Sequence, residues 1–298
     1  MGKRFDLNVL LRFERQGRGI GTFENYIPWH RVSRSDPSSR GRSHLHKWEK
    51  RQRELLSDLE LVAFLFSSMH PDLIDIREQF PLAATNAPHE LNEYRAGYAN
   101  VDCSGTVEIA EQLKTKHPIV YGGPGQRAVW VMTTDLLLTL KSPEGGLSLL
   151  AISVKPKCPP EGSRSEQLLN LEREYWAKRG VTWLLITPKE YDPLVSDALK
   201  GTSHWAWDAN CDLALLDWLE NRQRDFNGQS LTYILHCAAS DGLDPEAIKL
   251  ALWRGIWTGK IPFDLRRGWR PSEPFWLISN KAFWARNPIV SGRSAWKV

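Results

Sequence analysis

Residues 129–157 read VWVMTTDLLLTLKSPEGGLSLLAISVKPK. Two apolar runs rich in Val, Leu, Ile and Thr flank the turn-forming segment Ser142–Gly146. That pattern predicts a β-hairpin with a five-residue loop. Asp135 interrupts the first strand and Lys155 ends the second. If the loop is centred on Glu144, paired residues have numbers summing to 288, so Asp135 faces Ser153 and Lys155 faces Thr133. Paired residues share a face, which puts Asp135, Ser153 and Lys155 on one side of the sheet. A one-residue slip would separate Asp135 from Lys155.

A carboxylate on one strand and a lysine at the end of the next is how metal-dependent nucleases of the restriction-endonuclease type build their site. A surface salt bridge on a half-exposed sheet has the same residues, so the pair alone leaves both readings open.

Working outward, Glu54–Met69 reads as a helix, with Leu55, Leu59, Val62, Phe66 and Met69 forming its apolar stripe. Glu60 flanks the stripe, where a buried carboxylate needs a partner. A metal would serve; so would the S-x-x-E capping box formed by Ser57 and Glu60. A strand is expected over Asp72–Phe80, then a turn-rich insert over residues 82–128 with one helix at Val107–Lys114. Beyond the hairpin, Ser165–Arg179 reads as a helix bearing Glu172 and closed by Gly180. Val181–Thr187 is a continuous apolar run, expected as a strand buried on both faces. The order is αβββαβ.

Residues 1–53 hold 13 Lys/Arg against 5 Asp/Glu, a net +8, while the whole chain is only +4. A basic arm on a mildly acidic body points to a polyanionic partner. Arg40, Arg42, Lys47, Lys50, Arg51 and Arg53, with His44 beside them, are the candidate phosphate contacts. GRGIGTF, from Gly17, lacks the ending of a phosphate-binding loop. Cys103, Cys158, Cys211 and Cys237 are widely spaced, which argues against zinc and against a disulfide framework. No apolar run approaches the roughly 20 residues of a membrane span, and no signal-peptide core opens the chain. The cytoplasm is the expected compartment.

Residues 191–208 read as a linker. Three helices follow, at Cys211–Arg224, Ser230–Ser240 and Asp244–Trp257, then strand candidates Lys260–Leu265 and Pro274–Ser279. Three helices and a two-stranded ribbon describe a winged helix, with Arg266, Arg267, Trp269 and Arg270 at the ribbon tip as a DNA or partner contact. The expected domains are a basic arm (1–53), a catalytic domain (54–190), the linker (191–208) and a winged-helix-like domain (209–298).

Several stretches in register resemble one family: GRGIGTFENYIPW, SSRGRSH, LLSDLELVAFL, LIDIREQFPL, IAEQLKTKHP, VMTTDLLL, the VKP of SVKPK, and LEREYW followed by VTWLLIT. The chain resembles TnsA, the endonuclease subunit of heteromeric cut-and-paste transposases, over most of residues 17–187. The resemblance implies an α/β fold with a restriction-endonuclease-like αβββαβ core, and a Mg²⁺-dependent nuclease that cuts the non-transferred strand at the 5′ ends of a transposon. It makes Glu60, Asp135 and Lys155 the catalytic residues. Glu60, Asp135 and the Val154 carbonyl would hold one or two Mg²⁺ ions, with Mn²⁺ as a substitute. Glu172 would support the site. The family usually has Gln where this chain has Ser153, a shorter and weaker ligand. Implied partners are double-stranded transposon ends, the strand-transferase TnsB and the AAA+ regulator TnsC, in a bacterial cytoplasm. A stand-alone restriction or repair nuclease, and a non-catalytic DNA-binding adaptor, are the alternatives.

Overall fold

A computed structural model describes residues 6–33, 36, 42–95, 98, 102–208 and 210–296. The chain divides into two compact units. One comprises Met1–Leu61, Asp72–Ile186 and Ala295–Val298; the other comprises Val62–Pro71 and Thr187–Ser294.

The first unit is built on a four-stranded mixed sheet. Its elements in chain order are α1 (Leu7–Arg15), β1 (His44–Trp48), β2 (Arg51–Leu55), the start of α2 (Asp58–Ser68), β3 (Leu73–Pro81), α3 (Thr106–Gln112), β4 (Ile119–Tyr121), β5 (Arg127–Val129), β6 (Thr133–Lys141), β7 (Leu147–Val154), α4 (Arg164–Ala177) and β8 (Thr182–Ile186). The main sheet runs β3-β6-β7-β8. β3–β6 and β6–β7 are antiparallel, and β7–β8 is parallel through the α4 crossover. The αβββαβ order is therefore present as α2-β3-β6-β7-α4-β8.

The hairpin has the expected register. Leu136 pairs with Ile152 and Lys141 with Leu147, and Ser142–Gly146 makes the loop. Gly145 and Gly146 take positive φ there, which L side chains avoid. β8 is buried from Trp183 to Ile186. Leu137, Ala151, Leu171, Tyr175, Trp176 and Leu185 are among the residues of the unit's main core.

Four expectations are corrected. First, the helix predicted from Glu54 starts at Asp58; Glu54 and Leu55 end β2, which pairs with β1 in a hairpin with a two-residue loop. A five-residue strand whose only apolar residue is Leu55 carries no apolar alternation in the sequence, whereas the apolar stripe that follows is conspicuous.

Second, the described part of the basic segment is not a free arm but is folded into the first unit, because many of its cations are internal partners. Arg18 and Arg12 bond Asp36, and Arg31 bonds Glu54. Period-two alternation turns Arg51 and Arg53 inward while Lys47 and Gln52 face solvent.

Third, the expected linker contains a helix, α5 (Pro193–Ala206). Asp192 caps it, accepting from the Leu194 N–H at 2.9 Å, and Pro193 occupies its first turn, where a missing N–H costs nothing. Its buried face is made largely of small residues such as Ala198, Thr202 and Ala206, so no large apolar stripe advertises it.

Fourth, the ribbon of the second unit is minimal. Helices α6 (Leu213–Arg222), α7 (Leu231–Ser240) and α8 (Pro245–Trp257) are present where three helices were expected. The two predicted strands instead meet at one bridge, Phe263–Leu277, flanked by Asp264 N–H→Trp276 O (2.8 Å) and Ile278 N–H→Pro262 O (2.9 Å). A short helix α9 (Asn280–Trp284) follows. Trp269 is not an exposed tip. It packs on Gly201, where an added Cβ would lie 2.5 Å from its ring, and on Trp205. Arg266 and Arg270 are exposed, but Arg266 is paired with Asp264, and the exposed Arg267 lies over Trp276.

Candidate active site

Asp135 sits on β6, three residues into the strand. Its Oδ2 accepts the Val154 N–H at 2.6 Å and the Lys155 ammonium at 3.1 Å. Lys155 Nζ also donates to the Val154 carbonyl at 2.9 Å. The β6–β7 register thus places the hairpin's carboxylate beside its terminal lysine. The Lys155 side chain is 41% exposed and that of Asp135 14%, so the pair lies at a rim rather than in the core.

Glu60 comes from the first turn of α2 and is buried. Both sequence readings of it meet in one side chain. It caps: its carboxylate accepts the Leu56 N–H at 2.9 Å and the Ser57 hydroxyl at 3.2 Å, while Ser57 Oγ accepts the Glu60 N–H at 3.1 Å. It also joins the Asp135 site through Gln79, whose Nε2 is 3.1 Å from Glu60 Oε2 and 3.5 Å from Asp135 Oδ1. Burial, then the Asp135 charge, push the Glu60 pKa up to about 7. Burial pulls the Lys155 pKa down, but Asp135, Glu172 and Glu60 outweigh it and the net shift is upward. Lys155 is an ammonium at neutral pH.

Ser153 is turned to a different cluster. Its hydroxyl donates to Glu172 Oε1 at 2.5 Å and accepts from Trp183 Nε1 at 3.2 Å. Thr134 Oγ1 (2.7 Å) and Trp183 Nε1 (3.2 Å) also donate to Glu172 Oε1. Burial raises the Glu172 pKa, against the pull of Lys155. Glu172 and Lys155 both border a cleft of about 690 Å³ whose other walls are mainly apolar, including Trp130, Met132, Pro156 and Leu168.

Gln79 links Glu60 to Asp135, Asp135 bonds Lys155, Lys155 bonds the Val154 carbonyl, and Ser153 is held with Glu172. Gln79 escaped the sequence reading. It belongs to β3, and only the β3–β6 pairing, made across the long insert, sets it opposite Asp135.

Among the proposed phosphate contacts, Arg42, Lys47 and Lys50 are exposed, and His44 bonds Asp58 at 2.6 Å. Arg51 and Arg53 are corrected. Arg51 is buried against both oxygens of Glu78 (2.5 and 2.7 Å), and Arg53, 1% exposed, donates to the Ile76 carbonyl at 2.6 Å and stacks on Trp48. Neither reaches solvent to meet a phosphate. Arg40 lies outside the described residues.

The donor set suits a hard divalent cation. Two carboxylates and a backbone carbonyl are all oxygen ligands, and Gln79 approaches Asp135 Oδ1 only at a long 3.5 Å. Mg²⁺ characteristically takes one or two carboxylates and retains water. No group of three or more His, Cys, Asp or Glu able to hold a metal occurs among the described residues.

A mixed sheet whose antiparallel hairpin gathers two carboxylates and a lysine is consistent with a nuclease domain of the restriction-endonuclease type. Residues 70–188 match the family model described as TnsA-like endonuclease N terminal, a stretch that includes Asp135, Lys155 and Glu172 but not Glu60. The chain is also 36% identical over 188 residues to the transposon Tn7 transposition protein TnsA of Escherichia coli, a match covering 62% of this chain and 59% of that protein. The likeness to TnsA is carried by this domain, and the match spans about 59% of the length of that relative. No helix among the described residues is long and apolar enough to cross a membrane.

Proposed function

We propose that this protein is the Mg²⁺-dependent endonuclease subunit of a heteromeric cut-and-paste transposase, hydrolysing the non-transferred strand at the 5′ ends of the element. The observation that carries the reading is the connection of Glu60, Asp135 and Lys155, from three separated stretches of chain: Gln79 links the two carboxylates and Lys155 bonds Asp135. The match of residues 70–188 to the TnsA-like family model supports it, and the likeness to a protein named for transposition suggests the biological setting.

Glu60, Asp135 and the Val154 carbonyl would hold Mg²⁺. When bound, the ion would polarise the scissile phosphate and acidify a water. Lys155, an ammonium by its raised pKa, acts as a donor to the attacked phosphate or its water and not as the base. Charge-assisted contact of this kind requires displacement of Lys155 from Asp135 Oδ2 only in part, since Nζ carries three donors. Glu172, beside Lys155 at the cleft, supports the ammonium electrostatically.

Double-stranded transposon ends are the proposed substrate, with a TnsB-type strand-transferase and a TnsC-type AAA+ regulator as partners. Arg42, Lys47 and Lys50 offer sequence-independent phosphate contact, so the isolated chain binds DNA weakly and with strong salt dependence. The second unit, with its three helices and minimal ribbon, is the proposed partner- or DNA-contacting domain.

The test is nicking of labelled transposon-end DNA with Mg²⁺, with and without the strand-transferase and regulator, using Asp135→Ala as control. Partner-dependent 5′-strand nicks that vanish in the variant support the proposal. Cutting without partners makes the protein a stand-alone nuclease. No cutting with active partners makes it an adaptor.

A further inference from the structure

Gln79 combines an unfavourable backbone with a conspicuous side-chain position. Its φ is +50° near the end of β3, in the left-handed region that residues other than glycine, asparagine and aspartate seldom enter. Its neighbours Glu78 and Phe80 pair with Leu136 and Thr134, so it stands opposite Asp135. The conformation is held from outside the sheet: the Trp29 N–H donates to the Gln79 carbonyl at 3.2 Å, and the Tyr26 hydroxyl lies 3.5 Å from the same oxygen. Gln79 is 3% exposed. A strained, over-determined residue whose carboxamide spans two carboxylates is where local strain tends to serve function.

Ser153 is unsuited to the same task. Its hydroxyl is engaged by Glu172 and Trp183 and makes no bond to Glu60 or Asp135 among the described residues. Residue 153 therefore offers no free donor to the pair, while a glutamine from another strand is already between the carboxylates.

We infer that Gln79 is the neutral ligand of the cation site, its carboxamide completing the oxygen donors of Glu60 and Asp135 in the role that Ser153 leaves vacant. In the cation-free protein the amide NH₂ bridges the two carboxylates and moderates their repulsion. With a cation between them, the same carboxamide turned over presents its oxygen instead, since the two ends of an amide are nearly the same size. The left-handed backbone at residue 79 is retained because it aims this side chain at the pair. This inference rests on the metal-dependent reading of the site.

Glycine is the natural probe, because it removes the amide and relieves the backbone together. Binding of Mn²⁺ alone to the full chain is measured by calorimetry, alongside the thermal midpoint in EDTA. Gln79→Gly is expected to weaken Mn²⁺ at least about tenfold, the scale of losing one supporting group at a metal site, with a midpoint no lower than that of the unsubstituted protein. Gln79→Met, of similar length but without the amide, is expected to weaken Mn²⁺ to a similar degree and decides the matter if the glycine variant does not fold. If either folded variant binds Mn²⁺ within about twofold of the unsubstituted protein while Asp135→Ala abolishes binding, the role of Gln79 is overturned and the metal site stands. If the unsubstituted protein itself binds no Mn²⁺, the metal-dependent reading falls and the inference with it.

Discussion

Two hairpins in the first unit each bring a cation to a carboxylate, and they do opposite things with it. In β1–β2, Arg51 grips both oxygens of the fully buried Glu78, and Arg53 lies over the same carboxylate. In β6–β7, Lys155 meets one oxygen of Asp135 at a partly exposed rim. A bidentate, desolvated guanidinium pair is closed: its carboxylate is held on both oxygens, and opening it leaves buried charge. A lysine–aspartate pair at a cleft is open, with donors to spare and water within reach. The first arrangement is structural, and the second is available for chemistry.

The sharpest way to break this contrast is to remove the acid from each hairpin. Glu78→Ala strands Arg51 and Arg53 in the core and should destabilise the protein by about 3–5 kcal/mol in urea unfolding. A loss below about 1 kcal/mol would make the buried pair no more structural than the exposed one. Asp135→Ala should leave the unfolding midpoint little changed yet slow partner-dependent nicking on the order of 10²–10³-fold under single-turnover conditions. Normal nicking by this variant would remove the open pair from the chemistry.

The pH response sharpens the comparison. The Glu60 pKa is raised from its ordinary 4.5 to about 7 in the folded chain, so the folded state holds this proton more tightly than the unfolded state. That stabilisation is complete below pH 4.5 and is lost as pH rises through 7. In EDTA, the stability of the native protein relative to Glu60→Gln should fall across this window, by at most about 3 kcal/mol. A difference that stays flat from pH 4.5 to 8 would contradict the burial and Asp135 repulsion assigned to Glu60. The smallest effect belongs to the outer face of β1–β2. Lys47→Ala should reduce the salt dependence of nonspecific DNA binding, lowering the slope by about 0.9 if the residue meets one phosphate. An unchanged slope would leave that face outside the DNA footprint.

Much of the first unit was legible because its signals are local. The hairpin register follows from one turn, Ser142–Gly146, and from strand alternation, and it carried Asp135 to Lys155 without knowledge of the rest. Glu60 was readable as a cap because a capping box needs only four consecutive residues. The misread elements lacked such signals: β2 is short and polar, α5 buries small residues, and the ribbon around Phe263–Leu277 has too few paired residues to distinguish it from two extended segments.

The sequence by itself determined the αβββαβ order, the hairpin and the chemical types available to the site, since turns, periodicity and residue chemistry are properties of neighbours along the chain. Only the tertiary structure decided which charges are working parts. The pairing of β3 with β6 across the insert brought Gln79 to Asp135, and packing of β1–β2 spent Arg51 and Arg53 on Glu78. Both outcomes depend on contacts between residues distant in sequence, where burial and competing partners, not residue type, fix what a charge can do.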